Sequence, residues 1–274
     1  SDMVRFRYGL PEKIGGWVAY ATATFIGTCR SILPWTSLEG ENRLGLGTNI
    51  KLYTEAGESY YDITPIRASS TINTNPFSIT AASAEVIVTD TAHGAVAGDY
   101  VTYSGATSGD GTLTAGVMNS EYVIDSITNA NTYVVTMSAV AAGADATEGG
   151  ANVVAAYQIS VGLDTAVVGT GWGVDTFGAE AWGEASTGAV DVTAQLRLWS
   201  LANWGEDLLA NIRNSGIYYW DTSVGTGTRA VDITSLSGSD TAPTICRKLL
   251  IVPEVRHVLA LGCDPTDDIG TQDT

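Results

Sequence analysis

The chain offers few groups for a reaction to use. Its 274 residues include two histidines, His93 and His257, and three cysteines, Cys29, Cys246 and Cys263. His93 precedes Gly94 in a turn-like stretch, and His257 follows Arg256 at the start of an apolar run. Neither has a nearby Ser, Asp or Cys in the pattern of a catalytic triad. An odd cysteine count without a Cys-x-x-Cys pair argues against a disulfide framework or a zinc site, and all three are expected as small buried hydrophobes. Acids are plentiful, 30 Asp and Glu against 13 Lys and Arg, so paired carboxylates of the glycosidase kind need weighing. Asp62 and Asp232, however, recur in matching Asp-Ile-Thr segments. A recurring acid of this kind is expected to tie a turn through side-chain-to-backbone hydrogen bonds. The stretches "SGDG" at 108–111 and "DPTDD" at 264–268 have the oxygen ligands calcium takes, but neither has the alternating spacing of an EF-hand loop. No GxxxxGK[ST] occurs, and Gly45-Leu46-Gly47 sits in strand-like sequence rather than at a helix start. The expectation is therefore no catalytic site, no metal, no cofactor and no enzyme.

Charge narrows the partners. The formal net charge is −17, a field that repels phosphate backbones and anionic membranes. Sequence-specific DNA binding is not expected, although DNA could slide past such a surface without sticking. No apolar run reaches the roughly 18 residues that span a bilayer, and no signal peptide is visible. The opening "SDMVRFRYGLPEKIGGW" already reads as mature structure, so the natural start is expected upstream.

The elements that would position these residues are strands. Glycine is abundant (31) and proline sparse (7), so turns must lean on Gly, Asn and Asp. Period-two alternation predicts strands at 4–8, 17–24, 29–34, 43–48, 50–54 and 60–63. The best helical candidate, 201–209, fits a turn and strand better. Farther on, strands are predicted at 85–90, 99–104, 122–127 and 132–137.

The strand grammar repeats. One unit runs "WTSLEGENRLGLGTNIKLYTEAGESYYDITPI" from Trp35, and a second runs "WSLANWGEDLLANIRNSGIYYWDTSVGTGTRAVDITSL" from Trp199. Each has a Trp, a loop with Gly and Glu, two apolar strands broken at Asn49 or Asn211, and an Asp-Ile-Thr ending. Those endings are Asp62-Ile63-Thr64 and Asp232-Ile233-Thr234. A third unit, "CRKLLIVPEVRHVLALGCD" from Cys246, matches "CRSILPWTSLEGENRLGLGT" from Cys29 and stops where its second hairpin is due. Units of about 40 to 50 residues holding several strands are the size of propeller blades. The glycines would let neighbouring sheets approach, and the aromatics would fill the wider gaps.

The predicted fold is all-β: propeller-like blades, incomplete in this chain, with an inserted small β-barrel or sandwich. Residues 1–74 form the first propeller segment, 75–160 the insert, 161–185 a Gly/aromatic connector, and 186–274 the second propeller segment, which ends within the third repeat. In the connector, Trp172, Phe177 and Trp182 are expected to pin irregular backbone to the core.

Several segments carry a resemblance: "VRFRYGLPEKIGGW", "RLGLGTNIKLYTEAGESYYDITPIR", "LWSLANWGEDLLAN", "GIYYWD" and "RHVLALGCD". Together they resemble tail proteins of double-stranded DNA bacteriophages, in particular the β-propeller nozzle (tail tubular) proteins of short-tailed phages. The stretch from "AHGAVAGDYVTYSGA" to "YVIDSITNANTYVVTM" is similar to small β-modules of phage tail and baseplate proteins. The resemblance implies a structural virion protein that self-associates in a ring, commonly a hexamer. The ring would contact the phage adaptor and tail fibre or spike proteins and pass genome DNA without specific binding. Alternatives are a head-closure or tail-hub protein, and a phage or bacterial surface propeller that binds carbohydrate.

Overall fold

The computed structural model describes residues 4–16, 18–72, 74–143, 146–162, 198–239 and 241–263. The predicted connector with Trp172, Phe177 and Trp182, and the "DPTDD" stretch, lie outside them. An N-terminal hairpin of β1 (Val4–Arg7) and β2 (Leu10–Lys13) comes first. It is followed by a four-stranded antiparallel meander of β3 (Cys29–Thr36), β4 (Asn42–Thr48), β5 (Leu52–Ala56) and β6 (Ser59–Asp62). Residues 18–24 form no strand. They pair with no strand among the described residues; Phe25 and Ile26, which follow them, lie instead against Tyr53 and Tyr60 on a face of the first sheet, and propensity without a hydrogen-bonded partner does not make a strand. Strand β5 starts at Leu52 because Thr48 Oγ1 first accepts the backbone N–H groups of Ile50 and Lys51, at 3.1 and 2.8 Å.

The insert follows: β7 (Ile66–Thr71), β8 (Phe77–Ile79), β9 (Glu85–Thr89), β10 (Tyr100–Ser104), β11 (Glu121–Asn129), β12 (Thr132–Thr136), β13 (Ala146–Glu148) and β14 (Val154–Gln158), with one helical turn at Ala115–Met118. They make one eight-stranded antiparallel sheet in the order β13-β8-β9-β12-β11-β10-β14-β7. It encloses a core of Phe77, Val88, Val101, Leu113, Ile124 and Tyr133. Its edges β13 and β7 do not pair with each other among the described residues, so it is a curled open sheet rather than a closed barrel. This sheet begins at Ile66, not at residue 75, because β7 pairs along β14 from Thr71↔Val154 to Ile66↔Gln158.

The chain then repeats its first design. Strands β15 (Trp199–Trp204), β16 (Asp207–Ile212), β17 (Ile217–Trp220) and β18 (Val231–Asp232) form a second four-stranded meander, and β19 (Lys248–Val252) pairs with β20 (His257–Leu261) as a hairpin. The expected turn and strand within 201–209 is the β15–β16 hairpin. These are the propeller-like blades of an all-β protein, here two four-stranded sheets and one two-stranded hairpin. Of the three cysteines, Cys246 is buried and Cys263 half-buried, whereas Cys29 is exposed. Cys29 opens an edge strand beside a register irregularity between Cys29 and Ser31, so its side chain misses the core.

Inside the insert, polar groups are chained together. The Tyr103 hydroxyl donates to Tyr133 Oη (2.9 Å), Tyr133 and Tyr157 hydroxyls lie 3.0 Å apart, and Tyr157 donates to Asp90 Oδ2. Ser70 also donates to that carboxylate oxygen. Burial pushes the phenols of Tyr103 and Tyr157 up, and that of Tyr133 to about 12. A phenol held neutral in the fold contributes stability that is fully present below the ordinary value of 10.0 and is lost as pH rises through the folded value. Tyrosinate absorbance should therefore show a fraction of the phenols ionising only with alkaline unfolding, near or above pH 12. Reversible ionisation of every tyrosine near pH 10 would contradict the buried relay.

Candidate functional site

Among the described residues, the repeat signature meets at the seam between stacked sheets. Register fixes the equivalences. In the first sheet one cross-strand row reads Ile32, Leu46, Tyr53, Asp62, and in the second it reads Leu201, Ala210, Tyr218, Asp232. Counting from these rows, Trp35, opposite Arg43, corresponds to Trp204, opposite Asp207. The sequence match of Trp35 with Trp199 is therefore corrected. Similar composition placed the two tryptophans in parallel, but they sit on opposite faces of equivalent strands.

Both tryptophans still join the sheets. Trp35 Nε1 donates to the Glu206 carbonyl at 2.9 Å, and Trp199 Nε1 donates back to the Thr48 carbonyl at 2.7 Å. Trp204 Nε1 donates to the Arg256 carbonyl at 3.0 Å. Glu206 and Arg256 hold the same place in successive units, just before Asp207 and His257. The indole at or next to the end of the first strand in both sheets thus reaches the turn of the next unit, in the same direction each time. Glycine makes the approach possible: a Cβ on Gly47 would lie 2.4 Å from the Trp199 ring, and one on Gly45 would lie 3.3 Å from Leu208. The resulting shared core holds Trp35, Leu52, Ile63, Trp199, Leu208 and Trp220. Leu209, Ile217, Cys246 and Leu249 bury the next seam, between the second sheet and the hairpin.

The two Asp-Ile-Thr endings make the same turn. Thr64 N–H donates to Asp62 Oδ1 at 2.9 Å, and Thr234 N–H donates to Asp232 Oδ1 at 2.9 Å. Ile63 is fully buried, and Thr64 Oγ1 accepts from the Leu52 N–H at 2.9 Å. Ile233 packs on the edge of the second seam.

Among the described residues, Asp62 has a further role that Asp232 does not share. Lys51, 2% exposed, places Nζ 2.7 Å from Asp62 Oδ2 and also pairs with Glu121 of the insert. Arg229, just before β18, lies 3.3 Å from both Asp62 and Glu121 and donates to the Thr64 carbonyl at 2.9 Å. Gln158 donates to Glu121 as well, and the Tyr100 ring lies 4.6 Å from Lys51 Nζ. First sheet, insert and second sheet therefore meet at two cations and two carboxylates. Burial by itself would raise the Asp62 carboxyl, but Lys51 and Arg229 outweigh it and hold the carboxyl below its ordinary 3.8. That is the reverse of what a general acid needs. Burial pushes the adjacent Tyr53 phenol up to about 12. Lys51, Arg229, Glu121 and Trp204 were not singled out from the sequence. For Lys51 a signal existed, a lone cation within a strand-like apolar run. Glu121 gave none, since its partners lie 70 and 108 residues away.

At the turn end of the stack, the loops of all three units surround an open cleft of about 1020 Å³. Its acids are used locally: Asp207 accepts from the Tyr219 hydroxyl (2.6 Å) and the Thr222 N–H (2.9 Å), Asp221 caps Ser223 (2.8 Å), and Glu41 pairs with Arg43 (2.7 Å). Of the histidines, His93 is buried, accepts from the Ala95 N–H at 3.0 Å and stacks edge-on against Tyr133. His257 lies exposed on β20. Asp110 in "SGDG" accepts from the Gly143 N–H at 2.6 Å. Among the described residues no group of three or more His, Cys, Asp or Glu could hold a metal ion.

No family model matches the sequence, and no curated protein matches it. Among solved structures, a phage phi92 endosialidase superposes with a TM-score of 0.28 at 12% identity, covering 81% of this chain. The chain spans about a third, 32%, of that structure's length. A superposition this loose shows neither a shared fold nor a shared activity.

Two substitutions probe the site, and a third serves as a control. Gly47→Ala should lower unfolding stability by about 1–3 kcal/mol through overpacking on Trp199. Gly227→Ala, in open space at ordinary φ, should change it by less than about 1 kcal/mol, both measured by urea titration. Lys51→Met should cost about 1–3 kcal/mol because it leaves the half-buried Asp62 and Glu121 carboxylates with Arg229 alone. In the wild type, the stability carried by Asp62 is present above pH 3.8 and lost as pH falls through its lower folded value. Lys51→Met should shift acid unfolding to higher pH; an unchanged acid midpoint would refute the role given to the pair.

Proposed function

We propose that the chain is a structural subunit of a bacteriophage tail that assembles as a ring, the nozzle, around the path by which DNA leaves the virion. The observation that carries this reading is the directional seam, in which each sheet's indole reaches the turn of the next unit. A stack with two different end faces associates head to tail, and head-to-tail contacts close into rings when the rotation permits. The resemblance of the repeat segments to nozzle proteins supports the phage setting, a hexamer, and neighbours of the adaptor and fibre or spike kind. The net charge of −17 suits a channel that passes DNA without holding it. In this role the chain performs no reaction and needs no cofactor or metal.

The test has two parts. Gold-labelled antibody against this chain should mark the distal tail of intact phage particles, and the purified protein should form rings in negative-stain images. Label on the capsid, or glycan-array binding by a protein that never assembles, would overturn the reading in favour of a head or carbohydrate-binding role.

A further inference from the structure

The third unit is short of strands. The first and second sheets have four each, whereas β20 pairs only with β19 among the described residues. The outer edge of β20 is the edge on which β5 pairs with β4 in the first sheet and β17 pairs with β16 in the second. An open edge of this kind accepts a strand from elsewhere. The β1–β2 hairpin has the opposite surplus. Among the described residues it pairs with no other strand, and its Phe6 is 74% exposed. A lone two-stranded hairpin is marginally stable in water.

The hairpin also has the form of the missing pair. Gly57 and Glu58 join β5 to β6, and Tyr8 and Gly9 join β1 to β2; both are two-residue turns with both residues at positive φ (61° and 62°, 53° and 79°). Aligning the turns sets the pair Val4↔Lys13 on Tyr53↔Asp62, whose counterpart in the second sheet is Tyr218↔Asp232. Phe6 then takes the place of Trp220, which is 1% exposed in the first seam. The connections agree as well. Residues 14–28 separate β2 from β3, and residues 233–247, the same number, separate β18 from β19. In register and spacing, β1–β2 is the outer half of a sheet that precedes the first sheet. The β20 edge of the same chain lies on the wrong side to be that sheet. Leu52 and Ile63 face the second sheet. Phe25 and Ile26 lie on the other face, with the Phe25 ring 5.2 Å from that of Tyr60 and the Ile26 N–H donating to Tyr53 Oη at 3.2 Å. The chain thus enters the first sheet from the side turned away from the second. Its own β20 lies beyond the second sheet, two sheet spacings of about 10 Å away.

We infer that β1–β2 of one copy of this chain adds to the open β20 edge of a second copy and completes its third sheet in the order β19-β20-β1-β2. The register of the first two sheets sets Val4 opposite Ala260, Arg5 opposite Leu259 and Phe6 opposite Val258. Val4, Phe6 and Pro11 share one face of the hairpin, and this pairing turns that face toward the second sheet, where Ile217 and Tyr219 border the seam. Arg5, Arg7 and Glu12 lie on the outer face. The inference rests on the head-to-tail ring reading and gives that ring its joint, made by main-chain hydrogen bonds along a strand edge and by burial of Phe6.

The test is cross-linking between whole chains. Arg5→Cys in one copy and Leu259→Cys in another, both in a Cys29→Ser, Cys263→Ser background, should be joined by a short bis-maleimide when mixed, and neither should cross-link alone. A chain carrying both substitutions should give linked oligomers. A linked monomer would mean that the hairpin folds back on its own chain, and no linked product would mean that the joint does not form; either overturns the inference. Phe6→Asp, at a site exposed in the single chain, should melt as the wild type does. It should weaken self-association by at least about tenfold in analytical ultracentrifugation, as expected when a charge replaces a buried aromatic anchor. Rings that form unchanged in Phe6→Asp overturn this joint and leave the ring reading standing. A wild type that stays monomeric at every concentration overturns both.

Discussion

A four-stranded antiparallel sheet with side chains to bury on both faces cannot stand alone, and the rest of this structure follows from that constraint. Where most small β proteins fold a second sheet back over the first, this chain repeats the sheet and stacks the copies. Glycine in β4 lowers the surface so that the Trp199 ring can lie against the backbone. The indole N–H groups then reach carbonyls across the gap, which settles both the spacing and the lateral register of the stack. Apolar contact alone would fix neither, since it is not directional. The reciprocal pair, Trp35 to Glu206 and Trp199 to Thr48, works at both ends of the seam and so restrains rotation as well as sliding.

The insert is held by charge rather than by extension of that core. Glu121 stands between Lys51 of the first sheet and Arg229 of the second, and each cation also contacts Asp62. Buried ion groups of this kind add little net stability compared with apolar packing, but removing one member is costly. Their effect is to specify one placement of the insert over neighbouring ones. The same geometry explains why two equivalent acids have different surroundings. Among the described residues Asp232 ties only its own turn, while Asp62 ties its turn and anchors a domain. An active-site reading of the recurring acids thus loses its footing on both counts: one is held ionised by cations, and the other serves its own backbone.

Much of the fold was legible because strands announce themselves by alternation and by the Gly, Asn and Asp that end them. The two meanders, the β15–β16 hairpin and most insert strands stand where alternation predicts. Residues 18–24 misled because a strand needs a hydrogen-bonded partner, and whether the fold supplies one is not written locally. The insert boundary moved to Ile66 for a similar reason: β7 resembles the end of the first sheet in sequence, but its partner, β14, lies far along the chain. Trp35 was paired with the wrong tryptophan because composition does not encode strand face, whereas counting from Asp62 and Asp232 does. Of the charged junction only Lys51 left a local trace, since nothing in the neighbourhood of Glu121 marks it as the partner of Lys51.

The distance along the chain between the two sides of the seam has a consequence for synthesis. Thr48 and Trp199 are 151 residues apart, so at translation rates of about 5–20 residues per second the first sheet waits roughly eight to thirty seconds for its cover. A waiting surface rich in leucine would invite capture by other nascent chains. The surface that waits here is notched by Gly45 and Gly47, while the large aromatic ring that fills the notch arrives with the second sheet. Around that notch the first sheet still holds Leu33, Trp35, Leu52 and Ile63 uncovered until then, so the early half of the joint is open to capture for the whole of that interval.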